Sequence, residues 1–240
     1  MKIHSLESMA ARDGEGLRYA VFLAGCPMRC VYCHNPDTWD MANGIEYTPE
    51  ELCNKIIRFK PYFKAGKGGV TFSGGEPLLQ AEELLQLIEL LQNHQIDCCI
   101  DTSGSVALSD TVKDVLLKSN SILLDLKFPT EESYQQYARG KLSSVIKTLE
   151  YLIANNKKVT IRTVIVPELN DNDASILEYA AILKPYKNKI HQWELLGFHT
   201  MGFMKYEALS LNNPLANKSS LPNSRLTELQ RTANTVLHKL

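Results

Sequence analysis

Six short apolar runs alternate with segments of helical spacing along nearly the whole chain, and this alternation limits the available folds more than any other feature. The runs at 18–24, 69–73, 96–101, 121–126, 158–166 and 190–196 have the length and β-branched or aromatic content of strands. Thr48-Pro49-Glu50-Glu51 supplies an N-cap, a first-turn proline and a capping-box acid for a helix whose Leu52, Ile56, Phe59 and Phe63 share one face. Further helices are expected at 81–93, 109–118, 131–138, 143–155, 173–183 and 225–238, with a long Asn-, Ser- and Pro-rich loop at 212–223 that is either mobile or hugs the surface. Strand–helix alternation predicts an α/β fold, a parallel sheet with right-handed crossovers. Six units are too few for a closed eightfold barrel. They leave an open doubly wound sheet and a partial barrel equally available.

A chain of 240 residues fits one domain, 1–240, with a sizeable core. Its 26 basic and 27 acidic residues give a net charge of −1 without any long block of one sign, which argues against a nucleic-acid or anionic-membrane partner. Residues 1–16 contain Glu7, Arg12, Asp13 and Glu15 and no apolar core segment, so neither a secretory signal nor a membrane span is expected. Cytoplasmic location and reduced thiols follow as expectations.

Three of the six cysteines fall within eight residues, Cys26-Pro27-Met28-Arg29-Cys30-Val31-Tyr32-Cys33, directly after the first apolar run. Three thiolates do not complete a four-ligand site, and a cubane iron–sulfur cluster on three cysteines leaves one iron open to another ligand. Zinc would require His34 or a distant side chain, and a ligand next to Cys33 fits zinc spacing poorly. Cys53, Cys98 and Cys99 lie in helix- or strand-like sequence and read as small core residues.

In parallel α/β folds the reactive groups collect after the C-terminal ends of strands. Those positions here hold the cysteine loop, Ser73-Gly74-Gly75-Glu76-Pro77, Asp101-Thr102-Ser103-Gly104, Asp125-Leu126-Lys127 and His199, with Arg162 inside the fifth strand. Any one of them alone is also ordinary turn chemistry. Asp125 and Lys127 alternate about Leu126 and should point to the same side. Gly66-Lys67-Gly68-Gly69 precedes a strand rather than joining a strand to a helix, so it is not a phosphate loop.

CxxxCxxC with an aromatic before its third cysteine resembles the cluster loop of the radical S-adenosylmethionine (SAM) superfamily. Its continuation, Tyr32-Cys33-His34-Asn35-Pro36, is similar to the glycyl-radical-enzyme activases. Asp13-Gly14-Glu15-Gly16-Leu17-Arg18, Gly74-Gly75-Glu76-Pro77, the segment 166–171 and Leu195-Leu196-Gly197-Phe198-His199 match family motifs in the same order, with Glu15 and Gly197 standing where the family commonly has proline. The resemblance decides between the two architectures, implying a (β/α)6 partial TIM barrel of the radical SAM type. It implies a 4Fe-4S cluster on Cys26, Cys30 and Cys33, and SAM contacts at Tyr32, Cys33, His34, Gly74, Gly75, Glu76, Asp125, Leu126, Lys127, Arg162 and His199. It further implies a monovalent cation at Asp101, Thr102 and Asp125.

The implied reaction is reductive cleavage of SAM followed by hydrogen abstraction from a glycine of a partner, with Asp13, Arg18, Tyr32 and the region after His199 as partner contacts. The span from His34 to Gly69 holds Cys53 as its only cysteine and just enough residues for one helix and its turns, so the further clusters of a ferredoxin-like insert cannot be built there. The short form predicts a monomer, an external donor such as reduced flavodoxin or ferredoxin, and a glycyl radical enzyme as substrate, pyruvate formate-lyase before a dehydratase. Two other readings are a radical SAM enzyme acting on a small molecule or peptide, and a non-catalytic iron–sulfur electron carrier that has no need of SAM.

Overall fold

The computed structural model describes residues 1–239. The chain divides into two compact units, Met1–Pro27 with Thr38–Leu123, and Met28–Asp37 with Leu124–Leu240. No helix among the described residues is long and apolar enough to cross a membrane.

The first unit contains strands β1 (Lys2–Ala10), β2 (Arg18–Leu23), β3 (Ile45–Glu46), β4 (Gly69–Gly74) and β5 (Asp97–Thr102), and helices α1 (Pro49–Ile56), α2 (Lys60–Gly66), α3 (Ala81–Asn93) and α4 (Asp110–Lys118). β2, β4 and β5 run parallel, with Arg18 opposite Gly69 and Gly69 opposite Asp97, so their first residues are level. Val21, Phe72 and Ile100 are fully buried, as expected of strands covered on both faces.

Two strands were not expected. β1 pairs antiparallel with β2, and the two-residue β3 pairs with β1. β1 hides its nature because its register shifts twice and only Ile3 and Ala10 of its side chains are buried, which erases the period-two apolar signal. The helix opened by Thr48 also differs. Its capping box forms, with Glu51 N–H donating to Thr48 Oγ1 and Thr48 N–H to Glu51 Oε2. The helix does not continue to Phe63, however: α1 gives way to a tight turn at Ile57–Phe59 before α2 restarts. Pro61, at the start of α2, has no N–H to donate to a preceding turn and its ring crowds the carbonyl four residues back.

Strand β6 (Ser121–Asp125) begins in the first unit and ends in the second. The second unit then holds α5 (Glu131–Ala138), α6 (Leu142–Ala154), β7 (Lys158–Ile165), α7 (Asp173–Leu183), β8 (Gln192–Gly197), α8 (Phe203–Ala208) and α9 (Asn223–Lys239). β7 and β8 are parallel, and Trp193 Nε1 donates to Thr163 Oγ1 at 3.0 Å across them. α9 lies along β8: Gln230 accepts from Leu195 N–H at 2.8 Å and donates to the Trp193 carbonyl at 3.2 Å, satisfying strand backbone groups from a helix side chain. The loop at 212–223 hugs the surface, with Leu215 and Leu221 buried and Leu221 N–H donating to the Phe198 carbonyl at 2.8 Å. α8, lying between β8 and that loop, was not expected.

Candidate active site

The loop carrying the three cysteines belongs to both units, Cys26 to the first and Cys30 and Cys33 to the second. In the first unit, Gly25 N–H donates to the Thr38 carbonyl at 2.7 Å and Cys26 N–H to the Trp39 carbonyl at 3.2 Å, fixing the strand exit. The Gly74-Gly75 pair packs directly on that exit. Gly75 N–H reaches the Leu23 carbonyl at 2.8 Å, and a Cβ on Gly75 would sit 2.1 Å from the Gly25 carbonyl oxygen. Gly74 adopts φ +104°, where a side chain is strained and a Cβ would strike the Leu23 backbone at 2.5 Å. What approaches these glycines most closely is thus the neighbouring backbone.

Glu76 follows, fully buried. Its Oε1 accepts from Leu78 N–H at 3.2 Å and from Thr102 Oγ1 at 2.7 Å, while Oε2 accepts from Ser103 N–H at 2.9 Å and from Ser103 Oγ. Four donors on one carboxylate compensate its desolvation and lock the segment after β4 to the segment after β5. Asp101 accepts from Ser73 Oγ at 2.7 Å, a second tie between the same segments. At the opposite ends of these strands Arg18 is 2 % exposed and donates to Thr71 Oγ1, to Asp97 Oδ1 and to the Val70 and Glu15 carbonyls. Thr71 Oγ1 in turn donates to the Asp13 carbonyl, so Arg18 and Thr71 hold the loop that presents Asp13. Thr71 did not stand out in the sequence and Ser103 did so only as part of the segment after the third strand, since a strand threonine or a turn serine carries no signal of its distant partner.

In the second unit, residues 28–31 are pinned to the end of α5: Arg29 N–H donates to the Ala138 carbonyl at 3.1 Å and Val31 N–H to Tyr137 at 2.8 Å. Cys33 N–H closes a turn onto the Cys30 carbonyl at 3.0 Å. Burial pushes the Cys30 thiol up to about 11, opposed by the Lys127 ammonium. Lys127 Nζ pairs with Asp125 Oδ2 at 2.6 Å and lies 6.0 Å from the Tyr32 ring centroid, while Leu126 between them is buried. Burial opposes the charge on Lys127, yet Asp125 holds its ammonium well above the usual lysine range. Tyr179 Oη donates to the Lys127 carbonyl at 2.9 Å and Leu126 N–H to the Arg162 carbonyl at 2.8 Å, fixing this strand end. The Tyr32 hydroxyl is buried with no hydrogen-bond partner. Arg162 lies opposite Glu194 in register, Nε to Oε2 at 3.5 Å. The His34 and His199 rings meet edge to face at 4.4 Å, and burial, reinforced by His199 and Lys205, lowers His34 to about 4, leaving it neutral at neutral pH.

The donor chemistry fits a cluster. Three thiols, none of them in a disulfide, lie on one short, hydrogen-bonded loop, and the most buried of them has a cation to offset its ionisation. No three His, Cys, Asp or Glu side chains among the described residues converge on a point that could hold a single metal ion. The thiolates of a cubane each take a different iron and stand farther apart.

Known proteins resemble this chain in sequence and in fold. Residues 12–147, over half of the chain and drawn from both units, match the model of the 4Fe-4S single cluster domain family. A radical SAM methyltransferase from Sphaerobacter thermophilus superposes with a TM-score of 0.65 over 94% of this chain and 68% of that one, at 16% identity. A domain of a pyruvate-formate lyase-activating enzyme from Bacteroides vulgatus gives 0.58 over 70% of this chain and 94% of that one, at 21% identity. The fold is therefore the (β/α)6 partial barrel of the radical SAM type.

In sequence, a pyruvate formate-lyase-activating enzyme of Clostridium pasteurianum is 42% identical over 96% of this chain and 95% of its own length. A pyruvate formate-lyase 1-activating enzyme of Escherichia coli is 38% identical over 87% of this chain and 85% of its own. The chain belongs to the pyruvate formate-lyase-activating enzyme family.

Proposed function

We propose that this protein cleaves SAM reductively at a 4Fe-4S cluster and installs a glycyl radical on pyruvate formate-lyase. The observation that carries the reading is the three-thiol loop, anchored on both flanks by backbone hydrogen bonds, in a chain 42% identical to an activating enzyme along nearly its full length. Cys26, Cys30 and Cys33 would hold the cluster, leaving one iron for the amino and carboxylate groups of SAM. When bound, cluster and SAM supply an electron and a sulfonium whose cleavage gives methionine and a 5′-deoxyadenosyl radical able to take hydrogen from a glycine Cα.

The chain's own residues position and insulate. Lys127, kept protonated by Asp125, offers Nζ to the SAM carboxylate and damps the charge gathering at Cys30. Gly74, Gly75 and Glu76 form the wall for the methionine amino group, Glu76 mainly by holding that wall rigid against Thr102 and Ser103. Tyr32, Leu126 and the edge-to-face pair His34 and His199 line the nucleoside side, and Arg162 serves as a second cation for the carboxylate. Asp101, Thr102 and Asp125 supply hard oxygens for a monovalent cation. Asp13, held by Thr71 and Arg18, faces the partner's glycine loop. An external one-electron donor of the flavodoxin or ferredoxin type completes the set, with the protein acting as a monomer.

Mixing reduced, SAM-loaded protein with pyruvate formate-lyase and, separately, with a glycyl-radical dehydratase tests the choice of partner. A glycyl doublet in the electron paramagnetic resonance spectrum of pyruvate formate-lyase is the expected result. A doublet in the dehydratase alone would assign a different partner.

A further inference from the structure

The cysteine loop does not end at its last ligand. Residues 33 to 37 are gripped, at every second position, by one distant segment of the second unit. Tyr206 Oη donates to the Cys33 carbonyl at 3.1 Å. Lys205 Nζ donates to Asn35 Oδ1 at 2.7 Å and to Asp37 Oδ1 at 3.2 Å, and lies 3.1 Å from Asp37 Oδ2. Between these points Gly202 packs so tightly on His34 that a Cβ would sit 2.8 Å from its carbonyl oxygen and 3.1 Å from Nδ1. His199, at the head of the same segment, meets the His34 ring edge to face. Nothing local predicts this: the bonds span 168 to 173 residues of sequence.

We propose that Lys205 and Tyr206 are positioning residues for the cluster: they form a strap that holds Cys33 in its ligating conformation. The inference rests on the family reading above and goes beyond the ligand set itself. Tyr206 is 2 % exposed, so its hydroxyl sits where water cannot replace the bond it makes to Cys33. A backbone turn that carries one ligand and closes onto another at 3.0 Å has little to hold it except its flanks. The flank toward Cys30 is fixed by α5, and the flank beyond Cys33 by α8.

The test is cluster retention. Tyr206→Phe keeps the ring and removes only the hydroxyl, and Lys205→Met keeps the aliphatic stem and removes only the charge. Each variant is reconstituted anaerobically with iron and sulfide and then challenged with an iron chelator. Loss should run about threefold to tenfold faster than in the wild type, the change expected for one buried hydrogen bond removed from the loaded state. Lys205→Arg should restore most of the retention. Tyr186→Phe, which removes a hydroxyl bonded to Glu150 at 3.1 Å, should match the wild type. Wild-type retention in both strap variants would overturn the proposal, as would equal loss in Tyr186→Phe. Lys205 and Asp37 are partly exposed, so Lys205→Met keeps the test available should Tyr206→Phe fail to fold. A wild type that takes up no iron and sulfide would overturn the family reading, and the strap with it.

Discussion

Glu76 gives the sharpest separation between a residue that touches ligand and one that builds the site. Glu76→Gln conserves shape but turns one carboxylate oxygen into an NH2. Whichever way the amide sits, that NH2 faces a backbone N–H, of Leu78 or of Ser103, which cannot rotate away. Two charge-assisted bonds, each worth about 1.5–3 kcal/mol, are lost at that atom, and the two at the other oxygen weaken to neutral strength, about 0.5–1.5 kcal/mol each. A rotated hydroxyl of Thr102 or Ser103 recovers one bond, and the cost of burying a charge disappears. The net expectation is a loss of about 2–4 kcal/mol. At ~2–4 °C per kcal/mol for a chain of this size, the thermal midpoint should fall by about 4–16 °C. The assay is circular-dichroism melting of the metal-free, SAM-free protein, where no ligand contact exists to be lost. An unchanged midpoint in that state would refute the reasoning and return Glu76 to a purely ligand-binding role.

Further expectations concern the other buried groups. Cys30→Ala should abolish cluster assembly, whereas Cys53→Ala and Cys99→Ala should retain iron near the wild-type level; iron analysis after reconstitution decides, and equal loss in both groups would mean the ligands are misassigned. Lys127→Ala should weaken SAM binding by about 1–3 kcal/mol, because a charged contact disappears and Asp125 loses its partner, as equilibrium dialysis of the loaded protein can measure. Burial pushes the Cys98 thiol up to about 12 from 9.0, so the folded state keeps it neutral while the unfolded chain ionises. Its contribution is intact below pH 9 and is lost as pH rises through that window, so Cys98→Ala should lose stability less steeply than wild type between pH 9 and 12 in denaturant titrations. Parallel slopes would contradict the burial argument.

What could be read from the sequence was what is local. The Thr48 capping box and the alternation of Asp125, Leu126 and Lys127 each depend on residues within a turn or a strand of one another. The three-cysteine loop was legible because its spacing is itself the chemistry. β1 was not, since a strand with two register shifts and only two buried side chains, Ile3 and Ala10, carries no apolar period. Nor was the break before α2, where Pro61 outweighs the amphipathic stripe of Leu52, Ile56 and Phe63. Thr102 and Ser103, which supply three of the four donors to Glu76, lie 26 and 27 residues away, and the α8 strap reaches the cysteine loop across most of the chain. Such pairings are set by tertiary packing and leave no trace in spacing.

The central claim is hydrogen abstraction from a glycine of pyruvate formate-lyase, and isotope transfer measures it most directly. Pyruvate formate-lyase labelled with deuterium at glycine Cα is mixed anaerobically with reconstituted, reduced protein and SAM, and the nucleoside product is analysed by mass spectrometry. The account predicts 5′-deoxyadenosine carrying one deuterium, in an amount that matches the glycyl doublet. Unlabelled 5′-deoxyadenosine alongside that doublet, or no nucleoside from a fully loaded sample, would contradict it.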